Sequence, residues 1–231
     1  MEAKPKPLIV AHRGAPQNPL FENTTKAFIQ AFGQNADAIE GDFHLTSDHQ
    51  VVCHHNKTIR RFPIKKNSLK KLRTLKADLP TLEEVLSTIP SDKYIYIEIK
   101  SGVESCPFVL DIIDVSKLKK QQIMIISFHA DVIKTIKQRD SAIKAYWLYQ
   151  FERQEIPDIP VLLEKLAFCQ ADGIGTNINR HTDRDFIDQL KKAGYGHHAW
   201  TINRVKQARK LKEWGTLSIT TDRVALIRKG L

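Results

Sequence analysis

The chain has 231 residues, 42% of them hydrophobic and 27% charged, enough for one domain with a substantial core. No apolar run approaches the ~20 residues that span a bilayer, the start carries no signal-peptide core, and three scattered cysteines (Cys53, Cys106, Cys169) form no CxxC pair, so a reducing, cytoplasmic setting without disulfides is expected. A net charge of +10 admits an anionic partner, but the pairs Lys65-Lys66, Lys70-Lys71, Lys119-Lys120 and Lys191-Lys192 are spread along the chain, so most of that charge is expected on solvated helix faces and no nucleic-acid partner is expected.

Residues 8–11 are a short apolar run, read as a buried strand that ends in His12-Arg13-Gly14. Residues 23–30 predict a helix, with Asn23, Thr24 or Thr25 available to cap it. A second strand spans 37–42, and 51–54 reads as an extended excursion above it. Residues 57–79 are basic and irregular, a loop with one helical turn near 69–75. Leu79-Pro80-Thr81-Leu82-Glu83-Glu84-Val85-Leu86 starts a helix, with Thr81 as cap and Glu84 closing a capping box. The cleanest strand is 94–100, Tyr-Ile-Tyr-Ile-Glu-Ile-Lys.

Beyond it the pattern alternates: helix 107–118, strand 123–127, helix 130–138, strand 143–148, helix 161–169, strand 171–175, helix 183–193, strand 196–202, helix 205–214, strand 217–220 and a short final helix. Strands alternating with helices imply parallel βαβ units. Eight repeats in this length predict a closed (β/α)8 TIM-type barrel, a single α/β domain over residues 1–231 with a small excursion at about 43–78. An open doubly wound sheet is the alternative, but no Gly-rich phosphate loop follows the first strand.

In such barrels the chemistry sits at the C-terminal ends of the strands. Glu40 and Asp42, spaced i, i+2 on the second strand, share a face. Two carboxylates held side by side repel unless a cation or a proton sits between them; a solvated strand end is the alternative for this pair alone. Glu98 and Lys100 repeat the spacing. Ile95, Ile97 and Ile99 must face the helices, which turns Glu98 and Lys100 into the barrel mouth, where a structural salt bridge would account for them in isolation. Three convergent carboxylates without a cysteine suit a hard cation, Mg²⁺ or Ca²⁺, rather than zinc. His12-Arg13, His54-His55, Trp200 and Thr221-Asp222 complete the polar strand ends.

In order and spacing these residues closely resemble the glycerophosphodiester phosphodiesterase family. The motifs are His12-Arg13-Gly14, then Glu22-Asn23-Thr24 before a helix, then Glu40-x-Asp42-x-x-Leu45-Thr46-x-Asp48, then His55-Asn56-x-Thr58-x-x-Arg61. Ile97-Glu98-Ile99-Lys100, Trp200-Thr201-Ile202-Asn203 and Thr221-Asp222 extend the match to almost the whole chain. The resemblance implies one divalent cation and hydrolysis of small glycerophosphodiesters to glycerol 3-phosphate and an alcohol. It implies Glu40, Asp42 and Glu98 as metal ligands, His12 and His55 as general acid and base, and Arg13 and Lys100 as phosphate-holding groups. Trp200 and Phe128 are candidates for the alcohol side, by cation–π contact with a choline-like head group, with plain packing as the alternative.

The register singles out His55. Thr58, Arg61 and Asp48 fall at the family's offsets when counted from His55, and none does when counted from His54. Asn56 stands where the family usually has Asp and carries no charge, and His49 replaces a usual turn glycine. The rival reading is a lysophospholipase D or phospholipase C-like hydrolase acting on lipid phosphodiesters. A phospholipase C would need a rim of exposed apolar residues, and Phe62-Pro63-Ile64 before Lys65-Lys66 is the nearest candidate. A basic, non-catalytic binder of nucleic acid is the reading from another class, opposed by the intact set of acids and histidines.

Overall fold

The apolar runs become the staves of a barrel in a computed structural model that describes residues 6–231. β1 (Leu8–Ala11) leads through α1 (Thr25–Gly33) to β2 (Ala38–Leu45). The excursion follows, with β3 (Val51–Cys53), the short hairpin strands β4 (Thr58–Ile59) and β5 (Phe62–Pro63), and α2 (Leu69–Arg73). After α3 (Leu82–Leu86) come β6 (Tyr94–Ile99), α4 (Cys106–Val115), β7 (Ile123–Ser127), α5 (Ala130–Arg139), β8 (Lys144–Tyr149) and α6 (Ile159–Phe168). The chain ends with β9 (Gly173–Thr176), α7 (Arg184–Lys192), β10 (Gly196–Ala199), α8 (Val205–Trp214), β11 (Ser218–Thr221) and α9 (Val224–Gly230).

β1, β2 and β6 to β11 are parallel neighbours in chain order, and β1 pairs with both β2 and β11, which closes an eight-stranded barrel. The β2–β6 register sets Asp42 beside Glu98. Ile95, Ile97 and Ile99 are buried in the main core between barrel and helices, together with Leu82, Val85 and Val109. The opposite strand faces meet inside, where Val10, Ala38, Tyr96, Ile126, Tyr146 and Leu148 form a second cluster. Tyr146 lies over Gly196, where a Cβ would fall 1.9 Å from its hydroxyl.

Several bounds differ from the sequence reading for local reasons. β2 continues to Leu45 because β3 pairs with it antiparallel, Leu45 to Val51 and Phe43 to Cys53. α4 stops at Val115 because Ser116 takes an extended conformation (φ −71°, ψ 161°). Of the three cap candidates, Thr24 caps α1 by accepting from the Ala27 N–H. The capping box of α3 forms in both directions, Thr81 Oγ1 accepting from Glu84 N–H and the Glu84 carboxylate from Thr81 N–H. The excursion has its own small core of Val52, Ile59, Ile64, Leu72 and Leu79. Each such buried side chain is worth about 1.5–3 kcal/mol, which holds a lysine-rich segment in place. Among the described residues no helix is long and apolar enough to cross a membrane.

Candidate active site

A cavity of about 300 Å³ opens at the C-terminal end of the barrel, lined by His12, Arg13, Glu40, His55, Glu98 and Lys100, with Phe128, Gln150, His198 and Trp200 from the later strands. Eight of the nine residues given a candidate role from the sequence line it. The ninth, Asp42, lies in contact with two of them, Arg13 and Lys100.

The turn after β1 aims the first group. Arg13 (φ 51°), Gly14 (φ 81°) and Ala15 (φ 45°) are all left-handed, and a Cβ on Gly14 would lie 2.8 Å from the Ala27 Cβ of α1, so only glycine fits there. The turn directs the Arg13 backbone N–H at Glu40 Oε2 (3.0 Å). The guanidinium reaches Glu22 Oε2 (3.1 Å) through Nη1 and lies 3.2 Å from Asp42 Oδ2 through Nε.

Glu40, Asp42 and Glu98 offer oxygens that all lie within 4.8 Å of one another. Burial alone would raise all three, but their neighbours differ. Burial opposes the charge of Asp42, yet Lys100 and Arg13, with a hydrogen bond from Asn23 Nδ2 (2.9 Å), hold it below the usual carboxylate range. Burial and the Asp42 charge push Glu98 up in spite of Lys100, whose Nζ is 2.7 Å from Glu98 Oε1 and 3.3 Å from Asp42 Oδ1. Burial, then Asp42 and Glu98, pushes Glu40 up to about 8. Glu40 Oε1 is buried and has no hydrogen-bond partner. A buried acid costs free energy unless it is paired, and the two nearby cations are already committed to its neighbours. Three hard oxygen donors around an unsatisfied carboxylate fit a divalent cation; the residues present suit one.

The two histidines of the cavity sit in opposite surroundings. His12 Nδ1 lies 2.6 Å from Asp222 Oδ1. Burial works against protonating His12, but the Asp222 hydrogen bond and the Glu40 charge outweigh it and raise its pKa. Asp222 is itself held by Asn203, whose Nδ2 donates to Oδ2 (2.6 Å) and whose Oδ1 accepts the Asp222 N–H (2.9 Å). Burial lowers the pKa of His55 against the pull of Asp42, with Arg13 and Lys100 adding to the lowering. Its neighbour His54 does not line the cavity; burial and Lys76 lower its pKa.

Four supporting residues had no role from the sequence. Asp222 was part of the matched motif, but its partner is 210 residues away. Asn23 is fully buried and grips Asp42 twice, through the side-chain bond above and by accepting the Asp42 N–H on Oδ1 (3.1 Å). His44, lowered to about 4 mainly by burial, points Nε2 at the His55 carbonyl (3.3 Å). A carbonyl only accepts, so Nε2 carries the proton. His198 lies at the cavity between Ser218 Oγ (2.8 Å) and Thr220 Oγ1 (3.1 Å). The available signal was its place two residues before Trp200, which puts both side chains on one strand face. Trp200 meets Phe128 edge-on at 5.6 Å, and its indole Nε1 is buried without a partner.

Known proteins resemble the chain over almost its whole length. The model of the glycerophosphoryl diester phosphodiesterase family matches residues 12–226. YhdW of Bacillus subtilis, itself provisionally assigned as a glycerophosphodiester phosphodiesterase, is 29% identical over 247 aligned positions, covering 93% of each chain. A glycerophosphodiester phosphodiesterase structure from Thermotoga maritima is 25% identical and superposes with a TM-score of 0.81 over 97% of this chain and 98% of its own. An Oleispira antarctica phosphodiesterase, solved with the product sn-glycerol-3-phosphate, shares the fold at a TM-score of 0.83 and 23% identity, over 98% and 96% of the two chains.

Proposed function

The chain belongs to the glycerophosphodiester phosphodiesterase family, and from that premise we propose that it hydrolyses small glycerophosphodiesters to glycerol 3-phosphate and an alcohol, with one divalent cation, Mg²⁺ or Ca²⁺, held by Glu40, Asp42 and Glu98. The observation that carries the reading is Glu40 Oε1, a buried acceptor with no partner on one of three clustered carboxylates. A cation bound there supplies Lewis-acid charge to the phosphate oxygens.

The chain's own residues supply the rest. Arg13 and Lys100 bring positive charge to the cavity wall and stabilise the more heavily charged transition state. Asp222 accepts from His12 Nδ1, which favours the imidazolium and leaves Nε2 as the nitrogen that hands a proton to the leaving alcohol. His55, whose pKa burial lowers, takes the proton from the glycerol hydroxyl beside the phosphate. That oxygen forms the new bond to phosphorus as the bond to the alcohol oxygen breaks, giving a cyclic phosphate. Water then opens the ring with the two histidines in exchanged roles. Groups whose surroundings push their pKa values apart are the usual mark of an acid–base pair. Trp200 lines the cavity and is the aromatic wall for the alcohol side. A cavity of about 300 Å³ suits a small diester.

The test is release of glycerol 3-phosphate from a panel of glycerophosphodiesters. His12→Ala and His55→Ala should each lower turnover by ~10²–10⁴, with His54→Ala close to wild type. A diester lacking the neighbouring hydroxyl should be a poor substrate. Equal turnover of that analogue would refute the cyclic route, and greater damage from His54→Ala would refute the assignment of His55.

A further inference from the structure

The charge of this protein is not spread over its surface. Residues 57–76 contain nine lysines and arginines and no aspartate or glutamate, so the other 27 of the chain's 36 cations nearly balance its 26 acids. This corrects the expectation that the excess lies on scattered helix faces. The net charge of +10 belongs almost wholly to the excursion between β3 and α3.

Arg73 pairs with Glu84 and Lys76 with Asp78. The other seven cations of the segment are exposed, and among the described residues none lies in an ion pair. The segment stands at the mouth of the barrel. It begins two residues after His55, and Lys57, Lys65 and Lys66 share a second cavity with Lys100, Ser101 and Gly102 at the end of β6. The β1–α1 turn is close by, since Glu22, the residue after it, bonds Arg13 (3.1 Å), which lines the cavity together with His55. That turn, Pro19–Phe21, presents Leu20 (79% exposed) and Phe21 (49% exposed) to solvent, with Lys26 5.9 Å over the Phe21 ring.

We propose that the basic excursion and the Leu20-Phe21 turn form a docking surface for an anionic phospholipid bilayer, which brings the mouth of the cavity to the membrane. Unpaired cations beside exposed apolar side chains have the composition that binds anionic interfaces, the cations reaching lipid phosphates and the apolar residues entering the head-group layer. The segment is a poorer match to nucleic acid. Single strands bind on a series of stacking aromatics, whereas the segment has one, the half-buried Phe62, with Arg61 (5.7 Å) and Lys71 (5.1 Å) over its ring. Ile64, named from the sequence as part of an apolar rim, is buried, so Leu20 and Phe21 take that part instead. The surface goes beyond the phosphodiesterase reading, and it would place the enzyme where deacylation of phospholipids releases glycerophosphodiesters.

The test is co-sedimentation of the protein with vesicles of phosphatidylglycerol and phosphatidylcholine in equal parts, against pure phosphatidylcholine, read without turnover and therefore independent of the catalytic assignment. Wild type should bind the anionic vesicles, release at high salt and ignore the neutral ones. Each cation near such a surface is worth about fivefold in partition, so Lys65→Gln/Lys66→Gln/Lys70→Gln/Lys71→Gln should bind at least ~100-fold more weakly. Its release of glycerol 3-phosphate from a soluble diester should stay at the wild-type level, which also shows that it folds. Leu20→Ser/Phe21→Ser should weaken binding with the salt dependence intact. Failure of wild type to sediment with anionic vesicles, equal binding to neutral ones, an undiminished fourfold variant, or tighter binding to a single-stranded oligonucleotide than to vesicles would each overturn the proposal.

Discussion

Replacing Asp222 by Asn probes the His12 assignment with little change of shape. The carboxylate serves two donors, His12 Nδ1 on one oxygen and Asn203 Nδ2 on the other, each at 2.6 Å. An amide has one acceptor oxygen and cannot satisfy both. The charge that favours the His12 imidazolium also disappears. A hydrogen bond to a charged group is worth about 1.5–3 kcal/mol, and the half-exposed Asp222 side chain (50%) puts this one at the lower end because water screens it. About 1.5 kcal/mol of lost transition-state stabilisation is roughly a tenfold fall in kcat. The pH profile carries the sharper readout. Asp222 raises the pKa of His12, and a general acid fails once it is deprotonated, so the alkaline limb of kcat should move to lower pH in Asp222→Asn. The assay is initial-rate release of glycerol 3-phosphate across pH 6 to 10, run as kcat and KM separately. A uniform loss at every pH with both limbs in place would show that Asp222 acts only through packing and would refute the reasoning.

Three further outcomes follow from the same geometry. Glu40 is pushed up to about 8 in the fold against an ordinary 4.5, so the metal-free folded state binds more protons than the unfolded chain between these values and loses stability as pH rises through them. Glu40→Gln should therefore stabilise the metal-free protein at pH 7 by up to ~3 kcal/mol, while Mg²⁺ or Ca²⁺ should raise the melting temperature of wild type more than that of the variant; a metal-free variant no more stable than wild type would contradict this. His197 and His198 have the opposite sign, because burial depresses both to about 3. The unfolded chain takes up protons first below about 6.5, so stability should fall with pH by up to ~1.4 kcal/mol per unit for each, and urea midpoints between pH 7 and 5 should show a smaller slope in His197→Gln. Trp200→Phe keeps the edge-on contact with Phe128 but removes the unpaired indole donor, so KM should rise severalfold with kcat nearly constant; an unchanged KM would remove Trp200 from the binding site.

The barrel was legible because short strand-like runs alternate with helical patterns along the chain, and one strand, 94–99, has a clear two-residue period. Ile95, Ile97 and Ile99 must face the helices, and that fixes Glu98 and Lys100 toward the mouth before any contact is known. His12, Glu40 and Asp42 followed by the rule that strand ends carry the chemistry. What the sequence hid was long-range pairing. Neither the 210-residue span from His12 to Asp222 nor the left-handed Asn23 that grips Asp42 has a local pattern. The extension of β2 to Leu45 depends on an antiparallel partner that lies beyond a tight turn, which periodicity on one strand cannot reveal. The concentration of charge in residues 57–76 is legible in the sequence as a run of nine cations without an acid, whereas the lysine pairs by themselves are spread along the chain.

The central claim is that a divalent cation on Glu40, Asp42 and Glu98 works with His12 and His55 to release glycerol 3-phosphate. The most direct measurement is that release from a soluble glycerophosphodiester before EDTA treatment, after it, and after add-back of Mg²⁺ or Ca²⁺. The expected result is loss of activity on chelation, recovery with at least one of the two cations, and no recovery in Glu40→Gln. Full activity in the stripped protein, or no glycerol 3-phosphate from any glycerophosphodiester with either cation, would contradict it.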